Sequence, residues 1–176
     1  MMQISQALEI ASLTDPGRLR KRNEDYVAER SETGLVLLAD GMGGYNAGDV
    51  ASGMATDLVA DGLDQDWQQA RLERLDRVQA QALAADLIRQ HVARANSAVH
   101  QAAQHTPEYS GMGTTLVVGL FFDNLLTVGH VGDSRLYRLR GDALDQLTRD
   151  HSLLQEQIDQ GVISKEEARL SHNRNL

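Results

Sequence analysis

The acidic residue with the strongest chemical context is Asp40, which directly follows an apolar run at residues 35–39. An ionised carboxylate at the end of a buried strand is costly unless a cation or several hydrogen-bond donors accompany it. The glycines at positions 41, 43 and 44 permit unusual backbone angles, and Gly41 lets a carbonyl turn toward the same cation. Because Mg²⁺ and Mn²⁺ prefer oxygen ligands, the loop predicts a divalent-metal site.

Other interpretations of this loop stay open. A glycine-rich turn capped by Asp40 would need no ligand. A nucleotide-phosphate loop is disfavoured, because no Gly-Lys-Ser/Thr sequence follows and an acid stands where a cation would be expected. Tyr45 and Asn46, beside the glycines, could line a substrate cleft or belong to a plain surface loop.

A second charged segment, residues 20–25, joins three cations to the adjacent carboxylates Glu24 and Asp25. Neighbouring side chains of a strand point to opposite faces. One of these two acids is therefore expected to bind an ion and the other to support it from behind. Taken alone, a run of mixed charge is more often a solvated surface. A metal-binding role for this segment is therefore predicted only in combination with Asp40.

A third segment, residues 129–135, places Asp133 at the tip of a predicted strand-turn-strand, directly after Gly132. On its own this is a hairpin, in which an Asp usually bonds its own backbone. Three acidic features in this order favour an oxygen-ligated metal centre over three unrelated turns.

The histidines carry a weaker signal. His91, His100 and His105 fall along one predicted helix, where helical or solvent-facing roles are expected rather than metal ligation. His151 is expected to form a structural hydrogen bond.

The composition restricts the fold and the partners. Of the 176 residues, 41% are hydrophobic and 24% are charged, which is typical of a folded globular domain. The net charge of −8 argues against a nucleic-acid groove, which needs a clustered basic face. The lack of cysteine excludes disulfides, thiolate metal sites and cysteine nucleophiles. Without a signal-like or membrane-spanning stretch, we expect no membrane partner and a cytoplasmic location.

The predicted elements would position these acids at strand ends. Apolar patterns and turn residues predict strands at 7–13, 25–29, 35–39, 114–122, 125–131 and 135–139. Helical spacing predicts helices at 47–63, 79–104, 152–160 (capped by Ser152) and 165–170 (capped by Ser164), with 64–77 as a loop or partly helical connection. Short turns between the strands at 114–122, 125–131 and 135–139 predict antiparallel pairing there. Strands and helices in blocks predict an α+β domain.

Five motifs occur in order: Arg20 with Asn23-Glu24-Asp25, Ala39-Asp40-Gly41-Met42-Gly43-Gly44 with Gly48, Gly111-Met112-Gly113-Thr114-Thr115, Val131-Gly132-Asp133-Ser134-Arg135 and Leu147-Thr148-Arg149-Asp150-His151-Ser152. Together they resemble the bacterial branch of the type 2C protein phosphatases, also called the PPM family. The resemblance spans about residues 10–176. Each motif alone is weak, whereas five in the family's order and spacing are specific.

The resemblance implies a four-layer αββα sandwich of two antiparallel sheets flanked by helices, incomplete at the C-terminus. The implied reaction is hydrolysis of phosphoserine and phosphothreonine on proteins by a metal-activated water, with two or three Mn²⁺ or Mg²⁺ ions. Arg20 would bind the substrate phosphate. The partners would be phosphorylated proteins, including a serine/threonine kinase or its substrates.

The resemblance also implies a set of metal ligands. Asp40 would bridge two ions, and the carbonyl of Gly41 would bind one of them. Asp25 or Glu24 would complete that side, directly or through water. Asp133 would match the family's third, weaker metal site.

Two features depart from the family pattern. Met42 stands where some relatives place a histidine that protonates the leaving oxygen, so another group must supply that proton. Nothing after Asp150 matches the two further aspartates of the family's second half, and Asp61 with its following glycine is out of order. We therefore expect residues 1–176 to form the N-terminal portion of one phosphatase domain. The alternative is a truncated or degenerate, non-catalytic metal-binding or regulatory module of the same fold.

Overall fold

The computed structural model describes residues 4–43, 47–70 and 72–170. The chain divides into two compact units, Met1–His130 and Val131–Leu176. Gly44, Tyr45 and Asn46 lie outside the described residues, so the expectation that Tyr45 and Asn46 line a cleft stays a prediction.

The first unit combines an antiparallel sheet with two long helices. Strands β1, β2, β4 and β5 lie side by side in that order, and the short β3 pairs with the end of β2. The pairings of β2 with β1, β3 and β4 are antiparallel. The bounds of these elements are β1 Asp25–Arg30, β2 Leu35–Met42, α1 Gly48–Gln69, α2 Arg77–His105, β3 Gly113–Thr114, β4 Leu116–Phe122 and β5 Leu125–Val131.

The central strand β2 has one buried and one open face. Leu35, Leu37 and Ala39 are buried in a core that they share with residues of α1 and α2. Leu38, on the other face, is 41% exposed, and Asp40 is exposed as well. Strand alternation therefore places Asp40 on the face of β2 that is turned away from α1.

Helix α1 is longer than the sequence pattern indicated. The prediction ended the helix at residue 63 and treated residues 64–77 as a connection, whereas α1 continues to Gln69. Trp67 explains the difference, because its indole is 3% exposed and packs edge-on against Phe122 at a centroid distance of 5.5 Å. Burial of this aromatic ring stabilises a final helical stretch that is otherwise polar.

The predicted strand at residues 7–13 is wrong. The described chain has a short 3₁₀-helix at Ile4–Gln6 and no strand between there and β1. Leu13 is 90% exposed. A strand is stable only beside a hydrogen-bonding partner, and none of the described strands lies alongside this segment.

The second unit consists of a hairpin and two short helices: β6 Tyr137–Arg140, β7 Ala143–Gln146, α3 Leu153–Asp159 and α4 Lys165–Leu170. A turn at residues 141–142 joins β6 to β7. The predicted caps are confirmed. Ser152 Oγ accepts the N–H of Gln155 at 3.2 Å, and Ser164 Oγ accepts the N–H of Glu167 at 3.2 Å.

The expected α+β class is confirmed, since the described residues form two antiparallel sheets together with helices. None of the described helices has the length and apolar character needed to cross a membrane.

One buried hydroxyl predicts a stabilising substitution. Thr56 on α1 is fully buried, and its Oγ1 has no hydrogen-bond partner among the described residues. A buried polar group without a partner is destabilising, so Thr56→Val is expected to raise the free energy of unfolding by about 1 kcal/mol. Urea unfolding measures this change.

The matched control is Thr33, which is also buried but whose Oγ1 donates to Asp64 Oδ1 at 2.6 Å. Thr33→Val is therefore expected to lower stability by about 1–2 kcal/mol. Equal destabilisation by both substitutions would contradict the assignment of Thr56 as unsatisfied.

Candidate metal centre

The hairpin of β1 and β2 brings two of the predicted acids together. Asp25 is the direct partner of Asp40 in the antiparallel register. Opposite residues of such a pair have Cα atoms about 4.5–5.5 Å apart and project from the same face. Both residues are exposed, and like charges directly opposite each other are destabilising. A cation would relieve the repulsion between Asp25 and Asp40, called the acid pair below, and that the pair binds one stays a prediction.

Beside the acid pair, Gly41 allows three elements to meet. A Cβ built on Gly41 would lie 2.0 Å from the carbonyl oxygen of Gly48 in α1 and 2.7 Å from that of Glu24. The N–H of Gly41 donates to the Glu24 carbonyl oxygen at 3.0 Å, and Ser52 Oγ of α1 donates to the same oxygen at 2.6 Å. The carbonyl oxygen of Glu24, the residue that precedes β1, thus accepts hydrogen bonds from both β2 and α1.

The carboxylate of Glu24 has a different neighbour from that of Asp25. A Cβ built on Gly48 would lie 2.7 Å from Glu24 Oε1, so this carboxylate rests against the first residue of α1. The partial positive charge of a helix N-terminus stabilises a nearby anion. The two adjacent acids therefore separate: Asp25 faces Asp40, and Glu24 faces α1. Which of them ligates an ion stays a prediction.

The donors at this point suit a hard divalent cation. The carboxylates of the acid pair and the carbonyl of Gly41 offer only oxygen, the ligand that Mg²⁺ and Mn²⁺ prefer. Within the described part of the chain, no three His, Asp or Glu side chains group closely enough to hold an ion. The acid pair and the Gly41 carbonyl therefore provide only part of the ligands that such an ion needs. Mg²⁺ usually keeps several waters as its remaining ligands.

Arg20 lies upstream of the acid pair in an exposed stretch without helix or strand. Asn23 fixes the end of this stretch. Its Nδ2 donates to Thr14 Oγ1 at 2.7 Å, and its Oδ1 accepts the N–H of Asp25 at 3.1 Å. The exposure of Arg20 is compatible with phosphate binding, which stays a prediction.

Asp133 belongs to the second unit, where it is exposed in a bend after β5. Gly132 makes this bend with a φ of +95°, a left-handed conformation that favours glycine. The N–H of His151 donates to the Gly132 carbonyl at 3.0 Å, and His151 Nδ1 lies 3.4 Å from the N–H of Gly132. The predicted structural hydrogen bond of His151 is confirmed. The metal role of Asp133 stays a prediction.

A bidentate ion pair organises the second unit, and sequence reasoning did not identify it. Arg135 Nε and Nη2 donate to the carboxylate of Asp150 at 2.8 and 2.6 Å. Asp150 is buried, and its hydrogen bonds raise the pKa of Arg135 above the ordinary arginine value. Leu136 N–H donates to the buried Thr148 Oγ1 at 3.0 Å. The sequence feature that could have pointed to this ion pair is that Arg135 and Asp150 each belong to one of the five motifs.

The sequence agrees with that of known phosphatases over most of its length. A profile of the family described as "Protein phosphatase 2C" matches residues 19–170. The chain belongs to the protein phosphatase 2C family. It is 38% identical over 174 residues to "Protein phosphatase PhpP" of Streptococcus pneumoniae, covering 96% of this chain and 65% of that relative.

Solved structures of the family share this fold. The serine/threonine phosphatase PstP/Ppp of Mycobacterium tuberculosis superposes with a TM-score of 0.79 at 37% identity, covering 94% of this chain and 64% of that one. The catalytic domain of PstP "in complex with 2 Manganese ions" gives a TM-score of 0.74 at 38% identity, covering 90% of this chain and 62% of that one. The chain therefore spans slightly less than two thirds of the length of these relatives.

In this member of the protein phosphatase 2C family, Arg135→Lys is expected to loosen the second unit. A lysine cannot reproduce the planar bidentate contact, so the buried Asp150 loses part of its hydrogen bonding. We expect a loss of about 1–2 kcal/mol of local stability, discounted because Arg135 is half-exposed. Hydrogen exchange of the backbone amides of residues 135–150 measures it.

Arg138→Lys is the matched control, because Arg138 donates to Asp145 through one nitrogen, with both side chains about half-exposed. Its expected effect is close to zero. Equal acceleration of exchange in the two variants would contradict a special role for the bidentate pair.

Proposed function

We propose that this chain acts in the hydrolysis of phosphoserine and phosphothreonine on proteins, with Mn²⁺ or Mg²⁺ held at the acid pair. The observation that carries the proposal is the register of β1 and β2, which sets Asp25 directly opposite Asp40. Membership of the protein phosphatase 2C family supports it, as does the two-manganese structure of PstP.

The proposed ligands use oxygen alone. Asp40 would bind two ions, the Gly41 carbonyl would bind one of them, and Asp25 or Glu24 would complete that side directly or through water. Asp133 serves a third, weaker site. When bound, such ions neutralise phosphate charge and lower the pKa of a coordinated water, which makes it a nucleophile at neutral pH.

The remaining roles belong to the substrate and the leaving group. Arg20 binds the phosphate, because a planar guanidinium matches two phosphate oxygens at once. Met42 is 63% exposed at the end of β2, and its thioether has no proton to donate to the leaving oxygen. The leaving-group proton therefore comes from another group.

The proposed setting is the bacterial cytoplasm, where the substrates are phosphoproteins made by a serine/threonine kinase, or the kinase itself. We further propose that residues 1–176 are the N-terminal portion of a single phosphatase domain. The family profile covers residues 19–170, and the five motifs occur in order along the sequence.

Phosphate release from phosphoserine and phosphothreonine peptides tests the proposal. We expect release with Mn²⁺ or Mg²⁺, none with a chelator, and a raised KM in Arg20→Ala with a smaller change in kcat. The Mycobacterium tuberculosis relative serves as the assay control. Absence of release from this chain, with Mn²⁺ still bound, would overturn the catalytic proposal in favour of a non-catalytic metal-binding module.

A further inference from the structure

The backbone hydrogen bonding between β2 and its neighbours β3 and β4 is interrupted at Asp40. Leu38 is opposite Val117 in β4, and Gly41 is opposite Thr114 in β3, so one register runs through both pairings. This register places Asp40 opposite Thr115, which belongs to neither β3 nor β4. The interruption therefore falls on a residue of the acid pair.

Side-chain hydroxyls replace part of the ladder at this position. At each hydrogen-bonded position of a regular antiparallel ladder, the two opposite residues exchange both backbone N–H···O bonds. Here the N–H of Thr115 donates to the Asp40 carbonyl at 2.9 Å, but the N–H of Asp40 donates to Thr115 Oγ1 at 3.0 Å. Thr114 Oγ1 lies 3.0 Å from the Asp40 carbonyl oxygen and 2.9 Å from the Thr115 carbonyl oxygen, and its single proton serves one of them. Thr115 thus bonds to both the N–H and the carbonyl of Asp40.

The environment of Thr115 suits a fixing role. Thr115 is 9% exposed, whereas Asp40 is exposed, so a buried hydroxyl anchors the backbone of a side chain that faces solvent. A β-branched side chain is stiff about χ1, which limits the positions of Oγ1. The backbone of Asp40 sets the direction of its Cα–Cβ bond, so fixing that backbone limits where its carboxylate can lie.

We propose that Thr115 is a positioning residue that sets the affinity of the acid pair for a divalent cation through its hydrogen bond to the Asp40 N–H. This inference rests on the proposed function, since it takes Asp40 as a metal ligand. Residues that hydrogen-bond to a metal ligand typically contribute about 10–100-fold to metal affinity. Thr115 is proposed to act on the metal through Asp40, without touching the substrate.

The test compares Thr115→Val, Thr115→Ser and wild type by Mn²⁺ titration followed by electron paramagnetic resonance. Valine keeps the shape but removes the acceptor, whereas serine keeps the acceptor. We expect the Mn²⁺ dissociation constant to rise about tenfold or more in Thr115→Val and to stay within about threefold of wild type in Thr115→Ser. Circular dichroism verifies that each variant is folded.

Thr148→Val is the matched control, because buried Thr148 Oγ1 also accepts a backbone N–H, that of Leu136, in the second unit. Its Mn²⁺ affinity should equal that of wild type. A Thr115→Val variant that binds Mn²⁺ like wild type, or no more weakly than Thr148→Val, overturns the inference and leaves the proposed function intact. A wild-type chain that binds no Mn²⁺ overturns the proposed function itself.

Discussion

Gly41→Ala is expected to destabilise the first unit by about 3 kcal/mol and to abolish Mn²⁺ binding. The added Cβ would lie 2.0 Å from the carbonyl oxygen of Gly48 and 2.7 Å from that of Glu24. Both obstacles are backbone atoms, which cannot rotate away as a side chain would. Relief therefore requires that α1 or the residue before β1 move away from β2. Such movement also moves Gly48 or Glu24 away from Gly41, directly beside the acid pair.

Gly53→Ala in α1 is the control for this substitution. A Cβ at Gly53 would meet only the ring of Tyr26, at an ordinary contact distance of 3.7 Å. Alanine is the better helix former by about 1 kcal/mol, so this variant should be at least as stable as wild type. Urea unfolding with and without Mn²⁺ distinguishes the two variants. Wild-type stability in Gly41→Ala would show that the close approach of β2 and α1 is not required.

Asp40→Asn is expected to lower Mn²⁺-dependent phosphate release by about a thousandfold or more. Metal ions contribute several kcal/mol of transition-state stabilisation, and each 1.36 kcal/mol is tenfold in rate. The amide keeps nearly the size and shape of the carboxylate but loses its charge. Phosphate release from a phosphothreonine peptide measures the effect, and Asp57→Asn, an exposed position on α1, should retain wild-type activity.

The same substitution has an opposite effect on the metal-free protein. Asp40 is opposite Asp25 across β1 and β2, and removal of one of two facing like charges should stabilise the strand pair by about 0.2–1 kcal/mol. Urea unfolding in a chelator measures this gain. A metal-free Asp40→Asn variant that is less stable than wild type would contradict the repulsion assigned to the acid pair.

Local patterns in the sequence were sufficient for most of the fold. Strands β1 and β2, helix α2 and the two serine caps follow from apolar periodicity and capping residues, which act over a few positions. The end of α1 depends on Trp67 meeting Phe122, a contact between distant segments that no local pattern contains. The strand expected at 7–13 likewise depends on a partner strand rather than on its own residues.

The candidate site likewise contains residues that local sequence patterns identify and residues whose roles depend on distant contacts. Asp40 was found from an apolar run that ends in an acid followed by glycines, and Asp25 from the charged start of a strand. The hydroxyl of Thr115, 75 residues from Asp40, could not be assigned from spacing, because its role depends on the register of β2 against β3 and β4. Ser52 was missed for a similar reason, since its hydroxyl acts on a carbonyl oxygen 28 residues away.

Electron paramagnetic resonance of Mn²⁺ titrated into the 176-residue chain tests most directly whether the acid pair is a metal site. Free Mn²⁺ gives a strong signal that falls on binding, so wild type should remove free Mn²⁺ from solution in a saturable manner. Asp40→Asn should leave the added Mn²⁺ free over the same range, with an unchanged circular dichroism spectrum. Saturable binding by Asp40→Asn at the wild-type affinity would contradict the account.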